Sequence, residues 1–101
     1  MLVEYLRYHV SADRAKDFEE AYRKAQAHLK SSPSCLGYEL TRCVKEPQRY
    51  ILRIVWDSAE GHLQAFRTST EFPKFFALVR PFLNDCQEME HYELTDVRWQ
   101  R

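Results

Sequence analysis

The stretch Tyr50–Trp56, YILRIVW, constrains this chain more than any other, because it is apolar on nearly both faces. Side chains alternate along a strand, so Tyr50, Leu52, Ile54 and Trp56 face one way and Ile51, Arg53 and Val55 the other. A strand of this kind belongs in the middle of a sheet that is covered on both sides. The period then changes at once. Asp57 and Ser58 carry short side chains that accept hydrogen bonds from the free N–H groups of a starting helix, with Ser58 the better cap and Glu60 in the first turn. Leu63 and Phe66 follow at helical spacing and are expected to face inward. The segment thus predicts a strand that turns directly into a helix, with Trp56 at the join.

The flanking sequence supplies the rest of the sheet. In LVEYLRYHV, Leu2, Leu6, Tyr8 and Val10 share a face interrupted by Glu4, while Val3, Tyr5, Arg7 and His9 share the other. Ser11 is the expected cap of a first helix, with Asp13 in its first turn. The stripe Ala15, Phe18, Tyr22, Ala25 and Leu29 is its buried face, and Ser31, Ser32 and Pro33 end it. A second strand sets Leu36, Tyr38, Leu40 and Val44 against Glu39, Thr41 and Cys43, and the turn KEPQR follows it. After Phe66, Ser69 or Thr70 restarts a helix that tolerates Pro73 in its first turn, carries Phe72, Phe75, Phe76 and Val79, and is disturbed by Pro81. QEMEHYELTDV reads as a fourth strand, with Met89 and His91 against Tyr92 and Leu94. The order β-α-β-β-α-β, with its second helix broken, predicts an α+β, ferredoxin-like fold with a four-stranded antiparallel sheet in a single domain over 1–101. Two helices cover one face of such a sheet. The other face calls for a second copy of the chain, and a homodimer is expected.

Charge and composition remove several function classes. Fifteen basic and 15 acidic residues cancel, which argues against a nucleic-acid surface. No apolar run approaches the ~18 residues that span a bilayer, so no membrane partner is expected. MLVEYLRYHV lacks a basic leader followed by a long apolar block, and Cys35, Cys43 and Cys86 form neither a metal pattern nor a disulfide framework; a reducing, cytoplasmic setting is expected, with the cysteines as small buried apolar residues. Two glycines leave no phosphate-binding loop. No metal-ligand spacing is readable, so neither a metal nor another cofactor is expected.

The segment YILRIVWDSAEGHLQAFRTSTEF resembles the antibiotic biosynthesis monooxygenase family: a strand ending in Trp, an acid and a Ser cap, a helix, a Ser/Thr-rich break and a second short helix. RAKDFEEAYRKA is similar to the family's first helix, SPSCLGYEL to the entry of its second strand and MEHYEL to its last strand, so the resemblance runs over about residues 2 to 95. It implies a dimeric α+β barrel built from two sheets, with a pocket in each subunit between sheet and helices. It also implies one of several activities: cofactor-free oxidation of polycyclic phenols and quinols, haem degradation, or isomerisation of signal molecules. Haem-degrading relatives carry an Asn on the first strand, a Trp on the helix after the third strand and a haem-ligating His one helix later. Leu6, Phe66 and Phe76 stand there, so the resemblance implies no haem chemistry. Many other relatives have a His where Phe66 stands, and its loss removes the obvious titratable base.

Seven residues are expected to bind substrate: Leu6, Tyr8, Tyr22, Trp56, Phe66, Phe72 and Phe76. His62 and Tyr8 are the catalytic candidates. For the aromatic residues, packing in a core and stacking on a planar ligand are both open. Tyr8, Tyr22 and Tyr38 can donate to a phenolic or quinone oxygen. His9 and His91 are read as neighbours, since first and last strands pair in this fold, but no third ligand for a metal is evident. His28 suits a helix C-terminus. Arg42 and Arg53 either pair with Glu39 or Glu93 at a dimer seam or stabilise an anionic substrate. The functional expectation is a small monooxygenase-like dimer that oxidises an aromatic, phenolic or quinol-type molecule without a cofactor. The alternative is a non-catalytic dimer that binds a small hydrophobic molecule in the same pocket; a purely structural dimer with a filled pocket is the third.

Overall fold

The alternating segments become four strands, β1 (Leu2–His9), β2 (Cys35–Arg42), β3 (Arg49–Trp56) and β4 (Cys86–Glu93), in one antiparallel sheet of order β2-β3-β1-β4. This is a computed structural model that describes residues 1–101, the side chain of Leu63 excepted; the inward role read for Leu63 lies outside the described residues. The doubly apolar YILRIVW stretch is β3, one of the two central strands, as its pattern requires. Helix α1 (Ala15–Lys30) buries Phe18, Tyr22, Ala25 and Leu29 against β1 and β3, and α2 (Phe72–Val79) packs beside it with Phe75 and Val79 buried. The architecture is the ferredoxin-like α+β fold. Among the described residues, no helix is long and apolar enough to cross a membrane.

The core explains the order of the apolar residues. Leu6, Tyr8, Tyr50, Leu52, Ile54 and Trp56 point from the central strands toward the helices. On the opposite face Tyr5, Ile51, Arg53 and Val55 are half-buried; Tyr5 packs edge-on against Tyr92 of β4, and Arg53 reaches Tyr5 and Glu39 on the neighbouring strands.

The join after Trp56 has a specific cause. Ser58 Oγ accepts a hydrogen bond from Gly61 N–H at 2.9 Å, the capping role read from the sequence. The Asp57 N–H donates to Ser34 O at 2.9 Å, which ties the turn to the start of β2. A Cβ on Gly61 would lie 2.3 Å from Asp57 Oδ1 and 2.7 Å from Ser34 Oγ, so only glycine fits there. From Gly61 to Phe66 the chain winds as a wide turn, and Arg67 N–H donates back to His62 O at 3.2 Å, an i→i+5 bond. Turns of this π type recur at functional sites.

Several expectations are corrected. Among the described residues Ser11 makes no side-chain cap bond; its carbonyl accepts from Arg14 N–H in a short 3₁₀ turn, and α1 begins at Ala15. Glu71 rather than Ser69 or Thr70 starts α2, and Ser69 Oγ donates instead to Phe66 O at 2.6 Å. Leu36 does not share a face with Tyr38. A bulge between Cys35 and Gly37 turns Leu36 out and Cys35 toward the core. Val44 lies beyond β2 and is exposed. The cysteines are half-buried rather than buried, with burial raising the thiols of Cys35 and Cys86 above their ordinary range.

Candidate functional site

A cavity of about 140 Å³ lies between the sheet and the helices. Leu6, Tyr8, Tyr22, Trp56, Phe66, Phe72 and Phe76, the seven residues expected at a pocket, all line it, and so does His62. The convergence follows from the fold. β1 and β3 contribute alternate side chains from adjacent strands, α1 contributes Tyr22 across from them, and the wide turn and α2 close the far side with phenylalanines. The rings form a continuous wall: Trp56–Phe66 centroids are 5.3 Å apart, Phe66–Phe72 5.6 Å and Phe66–Phe75 5.6 Å, in tilted or edge-to-face geometry. Trp56 is fully buried, and its ring is at once core and cavity wall. Phe66 is only 2% exposed, because Trp56, Phe72 and Phe75 surround it. Phe76, 38% exposed, sits at the mouth.

Polar groups are few. The Tyr8 and Tyr22 hydroxyls lie 2.5 Å apart in a buried hydrogen bond. Two hydroxyls carry two donors, and their mutual bond uses one, which leaves one free O–H. Burial raises the Tyr8 phenol to about 12, and burial, reinforced by Tyr8, raises the Tyr22 phenol further. Both stay protonated donors at neutral pH. Tyr38 does not join them: its hydroxyl donates to Gln26 Oε1, outside this cavity.

The second polar group is one that sequence reading only half saw. Glu4, noted as an interruption of an apolar face, is buried and lines the cavity. Its Oε1 accepts from Trp56 Nε1 at 3.2 Å, and its Oε2 lies 3.6 Å from His62 Nε2 and 3.5 Å from His91 Nε2. Burial raises the Glu4 carboxyl above the usual range, while the Trp56 bond and the charges of His91 and Arg67 pull it back. Burial, with Arg67 and His91 adding to it, lowers the His62 imidazole to about 4, so it is neutral at pH 7. The His62 ring stacks on Trp56 at 4.5 Å, yet neither ring nitrogen has a hydrogen-bond partner among the described residues. A buried polar group left unsatisfied costs about 1–3 kcal/mol.

The remaining candidates do not line this cavity. His9 and His91 are not neighbours: the β1–β4 register sets His91 opposite Glu4, and His9 lies beyond the paired residues. His28 Nδ1 meets Glu71 Oε1 at 2.9 Å and ties α1 to the start of α2. Within the chain Arg53 pairs with Glu39 at 3.9 Å, and Arg42 pairs with Glu19 at 3.4 Å, not with Glu39 or Glu93. The Glu4–His62–His91 cluster had a visible signal in Glu4, a charge on an apolar stripe. Its other members needed the strand register and the wide turn.

Comparison with known proteins agrees with this geometry. The profile of the antibiotic biosynthesis monooxygenase family matches residues 1–78. The uncharacterized protein YczJ of Bacillus subtilis is 27% identical over 93 residues, which cover 92% of this chain and 98% of that one. A crystal structure of a candidate monooxygenase of this family from Bordetella bronchiseptica superposes with a TM-score of 0.75 at 27% identity, covering 93% of this chain and 96% of that one. A second, from Chloroflexus aurantiacus, gives a TM-score of 0.76 at 18% identity, covering 97% and 96%, and so shares the fold.

Proposed function

Because the chain belongs to the antibiotic biosynthesis monooxygenase family, we propose that it binds a planar phenol or hydroquinone in the cavity and inserts one oxygen atom of dioxygen into it, with no organic cofactor. The observation that carries this is the aromatic-walled cavity of about 140 Å³ with a tyrosine hydroxyl pair on its wall. Size narrows the substrate class. An engineered apolar cavity of about 150 Å³ holds one benzene. A single-ring hydroquinone therefore fits, with a tail or second ring passing the mouth at Phe76, Leu83 and Met89. The fused polycyclic phenols implied by the family resemblance are too large without movement of α2.

The chemistry asks little of the protein. The bound phenol gives up its proton to water at the cavity mouth, one proton returns when the peroxide forms, and the free hydroxyl of the Tyr8–Tyr22 pair donates to the oxygen that carries the charge. The electron-rich ring carbon then bonds to dioxygen, giving a hydroperoxide. Its O–O bond breaks, one oxygen staying as a carbonyl and the other leaving as water; a hydroquinone and O₂ thereby become a hydroxyquinone and H₂O. The dry aromatic wall orients the ring and excludes water from the intermediate.

The same reading includes a homodimer, supported by the half-buried Tyr5, Ile51 and Val55 on the sheet face away from the helices. Sedimentation is expected to give about twice the 12.1 kDa chain mass; a clean monomer at micromolar concentration would refute it. Oxygen uptake with a panel of substituted hydroquinones tests the catalytic claim. Turnover that falls in Tyr8→Phe supports it. Saturable binding without oxygen consumption would make the protein a ligand-binding dimer instead.

A further inference from the structure

Glu4, His62 and His91 form a three-ligand cluster that the proposed oxidation does not use. The β1–β4 register places His91 across from Glu4, and the wide turn after Gly61 carries His62 back over them. One donor atom from each lies within 4.8 Å of the others. Two features mark the cluster as built to hold something. His62 is 4% exposed with both ring nitrogens unpartnered among the described residues, and its Nε2 is aimed at Glu4. The Trp56 indole fixes one Glu4 oxygen at 3.2 Å, which orients the other toward both imidazoles. Outer partners of this kind position ligating carboxylates in metal sites.

We propose that Glu4 Oε2, His62 Nε2 and His91 Nε2 bind one divalent transition-metal ion of the zinc class. Metal–ligand distances of about 2.0–2.2 Å put adjacent ligands of a tetrahedral site ~3.4 Å apart. The two pairs through Glu4, at 3.6 and 3.5 Å, already match, and the histidine nitrogens, within 4.8 Å of each other, must close by up to about 1.4 Å to reach that spacing. Two imidazoles and one carboxylate favour such an ion over magnesium or calcium, which take oxygen ligands. Three protein ligands leave a fourth position open. Glu4 and His62 line the cavity, which places the ion at its wall, and His91, 33% exposed at its side chain, gives the ion a way in. Arg67 lies near enough to act on Glu4 and His62, and its charge opposes the ion and limits its affinity. The inference goes beyond the proposed oxidation. It adds a means of ionising a phenol, since coordination to such an ion favours the deprotonated oxygen, as it does for bound water.

The test is a titration of the chelator-treated full chain with Co²⁺, followed by displacement with Zn²⁺, and needs no substrate. One Co²⁺ per chain is expected, with the visible ligand-field bands of a four-coordinate site, lost on adding Zn²⁺. Glu4→Gln and His91→Gln should each weaken binding by at least about tenfold. His9→Gln, exposed and outside the cluster, should leave it unchanged. His91 is partly exposed, so its variant is expected to fold, and circular dichroism confirms that for each protein. Absence of saturable binding, or binding that survives His91→Gln, would overturn the site. Either result leaves the oxygen-uptake test of the proposed function standing on its own.

Discussion

Two polar clusters face one apolar cavity, and they are satisfied to opposite degrees. Tyr8 and Tyr22 bond to each other, with hydroxyls 2.5 Å apart between two packed rings, and keep one O–H to donate. His62, on the other wall, stacks on Trp56 and approaches Glu4 at 3.6 Å without a hydrogen bond to either ring nitrogen. A buried polar pair that satisfies itself stiffens a core; one that does not holds a standing cost that a ligand can remove. The contrast separates a donor that is ready before substrate arrives from a site that is complete only when occupied.

The largest expected effect tests the wall the two clusters share. Trp56→Ala removes a fully buried ring and the partner of Glu4, and should cost about 3–5 kcal/mol. That corresponds to a fall in Tm of more than about 12 °C. Phe66→Ala should approach the same cost, at about 3 kcal/mol, because rings enclose it on three sides. Thermal unfolding of both variants checks this. A cost near 1 kcal/mol at Phe66 would mean that the ring packs on one side only.

The next effect sets the clusters against each other. Tyr22→Phe strands the Tyr8 hydroxyl and should cost about 1–3 kcal/mol, while the double change Tyr8→Phe/Tyr22→Phe should cost clearly less than the two singles added. In chelator, His62→Phe keeps a ring against Trp56, loses no hydrogen bond and removes an unsatisfied polar group, so stability should hold or rise, by up to about 3 kcal/mol. Denaturant unfolding measures all four proteins. A loss of 2 kcal/mol or more in His62→Phe would show that the imidazole has a partner after all.

A smaller effect appears with pH. The folded Tyr8 phenol, raised to about 12, and the still higher Tyr22 lie above the ordinary tyrosine value of 10.0. A group raised in the folded state gives stability that is whole below its unfolded value and is lost as pH climbs toward the folded one. Unfolding free energy should therefore begin to fall near pH 10 and keep falling toward pH 12, less steeply in the double phenylalanine variant. Equal slopes would mean the pair is solvated. The smallest effect is at the mouth, where Phe76→Ala should cost under about 1.5 kcal/mol because the ring is partly exposed, while weakening ligand binding.

What the sequence made legible was what burial imposes locally. Period-two alternation in β1 and β3, the stripe Phe18–Tyr22–Ala25–Leu29 and the Ser58 cap each follow from one segment meeting one core. The cavity-lining aromatics were legible for the same reason, as residues on those inner faces. The bulge that expels Leu36 was not, because it depends on how β2 meets β3. Nor was the Glu4–His62–His91 cluster, whose members are far apart in sequence and meet only through the β1–β4 register and an i→i+5 turn.

The claim on which the account rests is that the cavity takes one planar aromatic ring. Trp56 forms its wall, so its fluorescence reports occupancy once the exposed Trp99 is changed to Phe. Titration of that variant with a single-ring hydroquinone under anaerobic conditions should give saturable quenching at one ligand per chain, and a fused tetracyclic phenol should bind more weakly. Quenching that never saturates, or tighter binding of the tetracycle, would contradict the account.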